Sequence, residues 1–256
     1  MKSLVRAIAA GVAQVLEPAG YTLIPTWRLE HRVFARHLKR VFDRYDVDCV
    51  IDIGANEGGY AHFLRHEVGF RGVIHSFEPV SALAEKCRRR AEGDPAWHIH
   101  QTAIGETDGT LEINVMEGSC FSSFLVPLES DTAMKEHGNQ IARRETVTVR
   151  SLASVFPELQ KQSAMSRPYL KIDTQGFDLH VLHGAGATLD MMVALQTELS
   201  FRPIYENMAD WTEVLALLQG RQFHISNMFS VTIDNDLRAV EFDCVMVNDR
   251  AVRPTA

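Results

Sequence analysis

The stretch VIDIGANEGGY, residues 50–60, indicates the fold class of this chain. It opens with apolar residues and one acid, Asp52, as a buried strand does, and the glycines of GANEGG follow at once. Glycine has no Cβ and adopts left-handed backbone angles, so Gly54 permits a tight turn and Gly58 can begin a helix. The stretch therefore predicts a strand, a turn and a helix, with the backbone of the turn close to a ligand.

Strand and helix patterns alternate along the rest of the chain. Strands are predicted at CVIDIG, GVIHSFEP, WHIHQTAIG, GTLEINVM, RPYLKID and MVALQTELS, and helices at GYAHFLRHE, SALAEKCRRRAE, QGFDLHVLHGAGATL and DWTEVLALLQ. The stretch ETVTVRSLASVF is predicted to be a strand followed by a short helix. Repeated strand–helix–strand units predict a parallel sheet covered on both faces. The last two strands, QFHISNM and VEFDCVMVND, have no helix between them, which predicts a terminal antiparallel hairpin on an otherwise parallel, doubly wound α/β sheet.

We expect one catalytic domain over residues 49–256, with N-terminal helices in residues 1–48 packed on it. The first helix is MKSLVRAIAAGVAQVL and the second HRVFARHLKRVFDRY, and the first serves a homodimer equally well. A segment near 116–145 has no periodic pattern and reads as a loop insertion over the site, because long loops are usually functional or disordered. Ser81 and Asp210 are predicted helix N-caps.

The composition excludes some partners and compartments. A net charge of −7 over 256 residues argues against binding a nucleic acid through its phosphates. The apolar run at the N-terminus is too short for a transmembrane segment, which needs roughly 20 residues. Four cysteines without a CxxC pair suggest a reducing compartment, and we expect a cytoplasmic protein.

The glycine spacing identifies the kind of ligand. The pattern is G-x-x-x-G-G, with Asn56 where a dinucleotide fold often places the glycine that lets the backbone touch a pyrophosphate. The second strand ends in Glu78, close to the ~20-residue spacing at which an acid meets ribose hydroxyls. A nucleoside without a pyrophosphate fits both observations. The interpretation is S-adenosylmethionine, with its amino group near Asp52 and Gly54 and its ribose on Glu78.

Seven motifs then follow one another along the chain: CVIDIGANEGGYA, HSFEPVSAL, TAIGETDGTLEINV, SSFL, VTVRSLASVF, YLKIDTQGFDLHVLHGAGATL and LQTELSF. In this order they resemble the FkbM-type S-adenosylmethionine-dependent methyltransferases over roughly residues 31–220, and KIDTQGFDLHVLHGAG is the most specific of them. The resemblance implies the seven-stranded, Rossmann-like sheet of class I methyltransferases. It also implies an enzyme that methylates hydroxyls on sugars or natural products.

Carried over by position, the resemblance assigns Asp52, Gly54, Asn56 and Gly58 to the methionine-side loop, Glu78 to the ribose and Ala103 to the adenine. The remaining candidate cofactor residues are Ala55, Pro79 and Ile104, and Ser123, a loop serine whose hydroxyl can bind cofactor or substrate. The family often has Glu at the positions of Gln175 and Asp178. We interpret that departure as affecting only the electrostatics at the start of a helix.

Two acids end neighbouring predicted strands and are the candidate catalytic residues. Asp173 ends RPYLKID and Glu198 lies in LQTELS, so both should reach the same edge of the sheet. They can hold Mg²⁺ together with a substrate oxygen, or one can take the proton of a hydroxyl while the other orients the substrate. Lys171 shares a face with Asp173 and can pair with it, act as a base of lowered pKa, or extend to solvent.

The sequence indicates less about the methyl acceptor than about the cofactor. Arg202 and Tyr205, in an aromatic and charged segment after Glu198, are candidates for contacting a sugar or an apolar acceptor. The sequence leaves open whether the methylated atom is oxygen or nitrogen. It also leaves open a methyltransferase-like domain that binds a cofactor or partner without turnover, whereas the missing GxGxxG argues against a nicotinamide oxidoreductase.

Overall fold

The structure is a computed structural model, which describes residue 12 and residues 15–21, 25–129 and 138–251. The expected first helix therefore lies mostly outside the described residues, as does the middle of the predicted insertion. Six α-helices are described: α1 Leu29–Tyr45, α2 Gly59–Phe63, α3 Ser81–Ala91, α4 Leu152–Gln162, α5 Asp178–Ala185 and α6 Trp211–Gly220. A π-helical turn at Leu64–Val68 continues α2, and 3₁₀ turns occupy Glu17–Ala19, Thr26–Arg28, Ser119–Phe121, Gly186–Met191 and Asp249–Ala251.

Ten strands form two sheets in the described part of the chain. They are β1 Cys49–Ile53, β2 Val73–Phe77, β3 Trp97–His100, β4 Ala103–Gly105, β5 Gly109–Met116, β6 Ile141–Ser151, β7 Pro168–Ile172, β8 Ala194–Ser200, β9 Phe223–Ile233 and β10 Ala239–Asn248. The main sheet has seven strands in the order β3-β2-β1-β7-β8-β10-β9. The first five are parallel, and β10 pairs antiparallel with both β8 and β9. The predicted doubly wound sheet with its terminal hairpin is confirmed.

Two apolar cores cover the two faces of this sheet, because successive strand residues point to opposite sides. On one face, Val50 and Tyr169 pack with Leu38 and Phe42 of α1 and with residues of α2. On the other face, strand residues such as Ile51 pack with α4, α5 and α6. Both central strands, β1 and β7, are buried along their whole length. None of the described helices is long and apolar enough to cross a membrane.

The second sheet was not predicted from the sequence. It contains three strands in the order β4-β6-β5. The stretch WHIHQTAIG, expected to be one strand, is divided after His100, so that β3 joins the main sheet and β4 joins the small one. The small sheet packs over the start of α3 through Val80 and Leu83.

The two predicted helix caps have different outcomes. The side chain of Asp210 caps α6 by accepting a hydrogen bond from the backbone N–H of Thr212 at 2.8 Å. Ser81 is the first residue of α3 instead of its N-cap, which is Val80 and has no capping side chain. The Ser81 hydroxyl instead lies 3.5 Å from the carboxylate of Glu145 on β6.

Candidate active site

The strand order of the main sheet indicates where a ligand would bind. From β1 the chain proceeds to β2 and β3 on one side and later to β7 and β8 on the other, so the order reverses between β1 and β7. In open α/β sheets, ligands bind outside the carboxyl ends of the strands at such a point. A cavity of about 360 Å³ lies there, lined by residues that follow β1, β2 and β7.

The cavity brings together most of the residues predicted to bind the cofactor. Those that line it are Gly54, Asn56, Glu78, Pro79, Ala103, Ile104 and Ser123. Asp52, Ala55 and Gly58 do not line it. Asp52 is buried beneath it, Ala55 lines an adjoining cavity, and Gly58 packs elsewhere.

The loop after β1 adopts a conformation that its glycines make possible. The backbone N–H groups of Gly54 and Ala55 both donate to the carbonyl of Phe77, at 3.1 and 3.0 Å, which ties the loop to the end of β2. Gly54 has φ +79°, and a Cβ there would lie 1.8 Å from the carbonyl oxygen of Asp173. Gly58, also at φ +79°, faces Trp97 and Cys87, where a Cβ would lie within 2.9 Å of both side chains.

Glu78 connects the second strand to this loop. One carboxylate oxygen accepts the backbone N–H of Asn56 at 2.8 Å, and the other accepts that of Val80 at 2.9 Å. The side chain is only 5% exposed. Burial raises the pKa of Glu78 to about 7, against the lowering effect of the two backbone donors. The acid is therefore fixed in place before any ligand binds.

A buried ion pair lies under the loop and follows from the strand register. Asp52 on β1 pairs in register with Ser76 on β2 and with Lys171 on β7. The Ser76 hydroxyl donates to Asp52 at 2.9 Å, and the Lys171 ammonium lies 3.2 Å from Asp52 and 3.3 Å from Asp173. The ammonium also donates to the Gly54 carbonyl at 3.1 Å.

The environment of Lys171 decides among its three predicted roles. Burial by itself lowers the pKa of the ammonium, but the carboxylates of Asp173 and Asp52 outweigh this, and the net shift is upward. The predicted pairing with Asp173 is therefore present. A base of lowered pKa is the opposite of what the structure shows, and a side chain only 5% exposed does not extend to solvent.

Gln175 joins the two candidate catalytic acids. Its amide nitrogen donates to Asp173 at 3.0 Å and to Glu198 at 2.9 Å. The position between the two carboxylates, where a shared Mg²⁺ would sit, is thus taken by a neutral donor. The described residues contain no group of three or more His, Cys, Asp or Glu side chains that could hold a metal ion. The Mg²⁺ site expected at Asp173 and Glu198 is not supported.

The interpretation of Gln175 as a matter of helix-start electrostatics is wrong. Its backbone has φ +52°, an uncommon conformation for a non-glycine residue, and its side chain turns to the acids. The Tyr205 hydroxyl lies 3.1 Å from the amide oxygen, and the Ser123 hydroxyl donates to the Gln175 carbonyl at 2.7 Å. Strained backbone at a functional site persists where its surroundings hold it, as they do here.

Two other predictions from the sequence need adjustment. Tyr205 is only 1% exposed, and its hydroxyl donates to the Phe121 carbonyl at 2.8 Å, so it supports Gln175 and the loop instead of contacting an acceptor. Arg202 lies 3.7 Å from Asp234 and does not line the cavity. The hydroxyl of Ser123, predicted to bind a ligand, instead donates to the backbone carbonyl of Gln175 and accepts the backbone N–H of Leu125.

Acidic side chains also line the remaining wall of the cavity. Glu241 lines it and is only 5% exposed, and burial raises the pKa of its carboxyl. Glu198 is half-buried, and burial together with the carboxylates of Asp173 and Glu241 raises its pKa well above the usual range. Among the described residues, no ion pair involves Glu198. Its raised pKa and its place in the lining make it a candidate for taking a proton from an acceptor.

The sequence matches one family model, described as the methyltransferase FkbM domain, over residues 52–225. The matched residues begin at Asp52 and include Glu78, Asp173, Gln175 and Glu198. No curated protein is significantly similar to the sequence.

Several solved structures are similar in fold. A putative O-methyltransferase from Klebsiella pneumoniae has 11% identity and a TM-score of 0.46, covering 96% of this chain and 95% of that one. A magnesium protoporphyrin IX methyltransferase from Synechocystis PCC 6803, solved with bound S-adenosylmethionine, has 8% identity and a TM-score of 0.46, with 97% of each chain covered. Fibrillarin from Aeropyrum pernix, with natively bound S-adenosylmethionine, has 10% identity and a TM-score of 0.41, covering 78% of this chain and 66% of that one.

Proposed function

The chain belongs to the methyltransferase FkbM domain family, and from that premise we propose that it transfers a methyl group from S-adenosylmethionine to a hydroxyl of a sugar, glycan or natural-product acceptor. One observation carries the proposal. The loop residues Gly54 and Asn56 and the buried acid Glu78 line the same cavity as Asp173 and Glu198. A ligand held by the loop therefore lies in the same space as the two candidate catalytic acids.

The polar groups of this cavity fit the cofactor. The side-chain oxygen of Asn56 is buried and has no hydrogen-bond partner among the residues that the structure describes, so it is an acceptor that a ligand donor can satisfy. Each oxygen of Glu78 accepts one backbone N–H, and a carboxylate has roughly four acceptor sites, which leaves capacity for the two ribose hydroxyls. Ala103, Ile104 and neighbouring apolar residues offer a surface suited to the adenine.

When bound, S-adenosylmethionine supplies an electrophilic methyl group on a sulfonium, which an acceptor oxygen takes while the sulfur keeps the electrons of the broken bond. We assign Glu198 as the group that takes the hydroxyl proton, because it lines the cavity, forms no ion pair among the described residues and has a pKa raised by burial and by Asp173. Gln175 fixes one of its oxygens at 2.9 Å.

Asp173 has a different role in this proposal. It is held on one side by the ammonium of Lys171 at 3.3 Å and on the other by the amide of Gln175 at 3.0 Å. A carboxylate held by two donors is suited to orienting the acceptor, since positioning supplies much of the rate in a displacement of this kind.

The acceptor class rests on family analogy and on the polar loop that borders the cavity, where Ser119 and Ser122 lie beside Phe121. Three buried cysteines and the exposed Cys120 are all free thiols, which supports a cytoplasmic location. A homodimer stays a prediction.

The test is a calorimetric titration of S-adenosylhomocysteine, and separately of NAD, into wild-type protein and two variants. Glu78→Ala should abolish micromolar binding of the nucleoside. Glu85→Ala, at an exposed acid of α3, should leave that binding unchanged. Transfer of a labelled methyl group to a panel of sugars and natural-product alcohols then measures turnover.

Each result has a distinct meaning. Binding of NAD alone, or nucleoside binding unaffected by Glu78→Ala, would overturn the assigned cofactor site. Binding without transfer to any hydroxyl acceptor would leave the cofactor site standing and favour a domain that binds without turnover.

A further inference from the structure

A second cavity adjoins the cofactor cavity, and of the cofactor residues assigned above it is lined only by Gly54 and Ala55. It has a volume of about 300 Å³ and shares four lining residues with the first, Gly54, Asp173, Glu198 and Val231. Both candidate catalytic acids therefore face both cavities. A methyl donor in the first and an acceptor in the second would meet at these acids.

One wall of the second cavity is aromatic. Phe34 on α1 and Tyr60 and Phe63 on α2 line it. The rings of Phe34 and Phe63 stack with centroids 5.3 Å apart, and the rings of Tyr60 and Phe63 lie 6.1 Å apart. The Tyr60 hydroxyl donates to the side chain of Gln196 at 2.8 Å, which fixes its ring against the sheet.

Another wall carries a carboxylate that belongs to this cavity alone. Asp243 on β10 pairs in register with Glu198 on β8 and lines the second cavity but not the first. One of its oxygens accepts from the amide of Gln196 at 2.8 Å. Burial raises the pKa of Asp243 to about 6, so it carries its charge at neutral pH in a poorly solvated place.

The charges around the cavity do not balance. Asp173, Glu198 and Asp243 line it together with a single lysine, Lys171. Its ammonium already lies between Asp52 and Asp173, so Asp243 forms no ion pair among the described residues. The other titratable groups of the lining are Tyr60 and His31, which is exposed on α1. A neutral polyol would leave this excess of negative charge uncompensated, whereas a cation would offset it.

We propose that the second cavity binds the acceptor through a protonated amine, held between the Asp243 carboxylate and the rings of Phe34 and Phe63, since the Lys171 ammonium already lies 5.2 Å from the centre of the Tyr60 ring. Aromatic faces attract ammonium groups, and a carboxylate adds a charge-assisted hydrogen bond. The acceptor is then an amino sugar or an amino-alcohol group of a natural product, with its hydroxyl directed to Asp173 and Glu198. This inference rests on the proposed function, because it assigns the acceptor of the same site.

The test compares matched ligands in which an ammonium group replaces a hydroxyl. Cyclohexylammonium and cyclohexanol form one pair and glucosamine and glucose another, titrated near neutral pH with S-adenosylhomocysteine present and observed by saturation-transfer NMR. The variants are Asp243→Asn, which keeps the shape and the contact to Gln196, and Phe34→Leu. Asp236→Asn, at an exposed acid that pairs with Arg238 in the β9–β10 turn, is the control.

We expect the ammonium member of each pair to bind about tenfold more tightly than its neutral partner. Asp243→Asn should reduce this preference to within about twofold, and Phe34→Leu should weaken the ammonium ligands most. Equal binding within the pairs, no binding of either ammonium ligand, or a preference that survives in Asp243→Asn would each overturn the inference. Titration of S-adenosylhomocysteine into the same samples reports separately on the proposed function, since Asp243 does not line the first cavity.

Discussion

A carboxylate oxygen of Glu78 accepts the backbone N–H of Asn56 at 2.8 Å. The two residues lie on loops after different strands, and both were expected to contact the cofactor. Asn56 has φ +49°, and a hydrogen bond to a buried carboxylate helps to hold it in that uncommon conformation. The acid that would bind the ribose thus also shapes the loop that would bind the methionine end, so one substitution should affect both ends of the site.

Cofactor affinity should therefore depend on pH through Glu78. Burial raises its pKa to about 7 in the free protein, and ribose hydroxyls donate to the ionised form. Affinity for S-adenosylhomocysteine should be full at about pH 8 and fall by up to about tenfold per pH unit below pH 7. Titration calorimetry across this range measures it.

Two variants show whether this acid is responsible. Glu78→Gln should bind more weakly than wild type at about pH 8, by roughly 1.5–3 kcal/mol, and should show little dependence on pH. Glu85→Gln, at an exposed position of α3, should retain the wild-type profile. An unchanged slope in Glu78→Gln would assign the pH dependence to another group.

Gly54→Ala should be much more destabilising than the same substitution at Gly69. Both glycines have positive φ, +79° and +80°, so the backbone strain is matched. At Gly54 a Cβ would lie 1.8 Å from the Asp173 carbonyl, whereas at Gly69 it would have no atom of the described residues within 4 Å. We expect a loss of about 3–5 kcal/mol in the free energy of unfolding at Gly54 and about 1–2 kcal/mol at Gly69. Urea denaturation compares them, and similar losses would show that the backbone of Asp173 moves aside easily.

The parts of the site that were predictable depend on local backbone requirements. A glycine required at a sharp backbone turn can be recognised in the sequence, and the acid at the end of the next strand follows it at a characteristic spacing. Gly54 and Glu78 are of this kind. Asp173 and Glu198 could be placed together because the ends of neighbouring parallel strands meet at one edge of the sheet.

The rest depends on register and side-chain direction, which sequence spacing does not report. The pairing of Asp52 with Ser76 and Lys171 exists because three strands align at one row. The role of Gln175 depends on a left-handed backbone that redirects its side chain from the helix start to the acids. The division of WHIHQTAIG between two sheets likewise follows from tertiary pairing that a single strand pattern cannot show.

Gln175→Ala should lower the rate of methyl transfer without a matching loss of cofactor affinity. The substitution removes the donor shared by Asp173 and Glu198, which leaves two carboxylates unbridged and misplaced for catalysis. We expect kcat to fall by at least about tenfold while the affinity for S-adenosylhomocysteine stays within about threefold. Gln222→Ala is the control, since Gln222 also has a positive φ, of 68°, and its side chain accepts a hydrogen bond from Arg250 at 3.2 Å, away from the candidate site. A rate unchanged in Gln175→Ala would show that the bridge is dispensable.

Chelation of divalent metal should leave the rate unchanged. The Gln175 amide joins Asp173 and Glu198 at 3.0 and 2.9 Å, so a cation would have to displace it. We therefore expect equal initial rates with EDTA and with added Mg²⁺. Loss of activity in EDTA that Mg²⁺ restores would show that the amide moves aside and that the acids bind the metal during turnover.

Lys171→Met should be strongly destabilising, because it leaves the carboxylate of Asp52 buried without a cation. Asp52 is 0% exposed and the ammonium lies 3.2 Å from it. Removing one member of a buried ion pair typically lowers the free energy of unfolding by about 3–5 kcal/mol, and we expect a loss of about that size here. Lys39→Met breaks the exposed pair with Asp43 on α1 and should lower the free energy of unfolding by at most about 0.5 kcal/mol.

In the double variant of Lys171→Met with Asp52→Asn, the buried charge is gone and much of the lost stability should be recovered, since neutral replacement of a buried pair is often tolerated. Urea denaturation of the four proteins measures this, and a double variant no more stable than Lys171→Met would show that packing of the lysine stem, not its charge, stabilises the centre of the sheet.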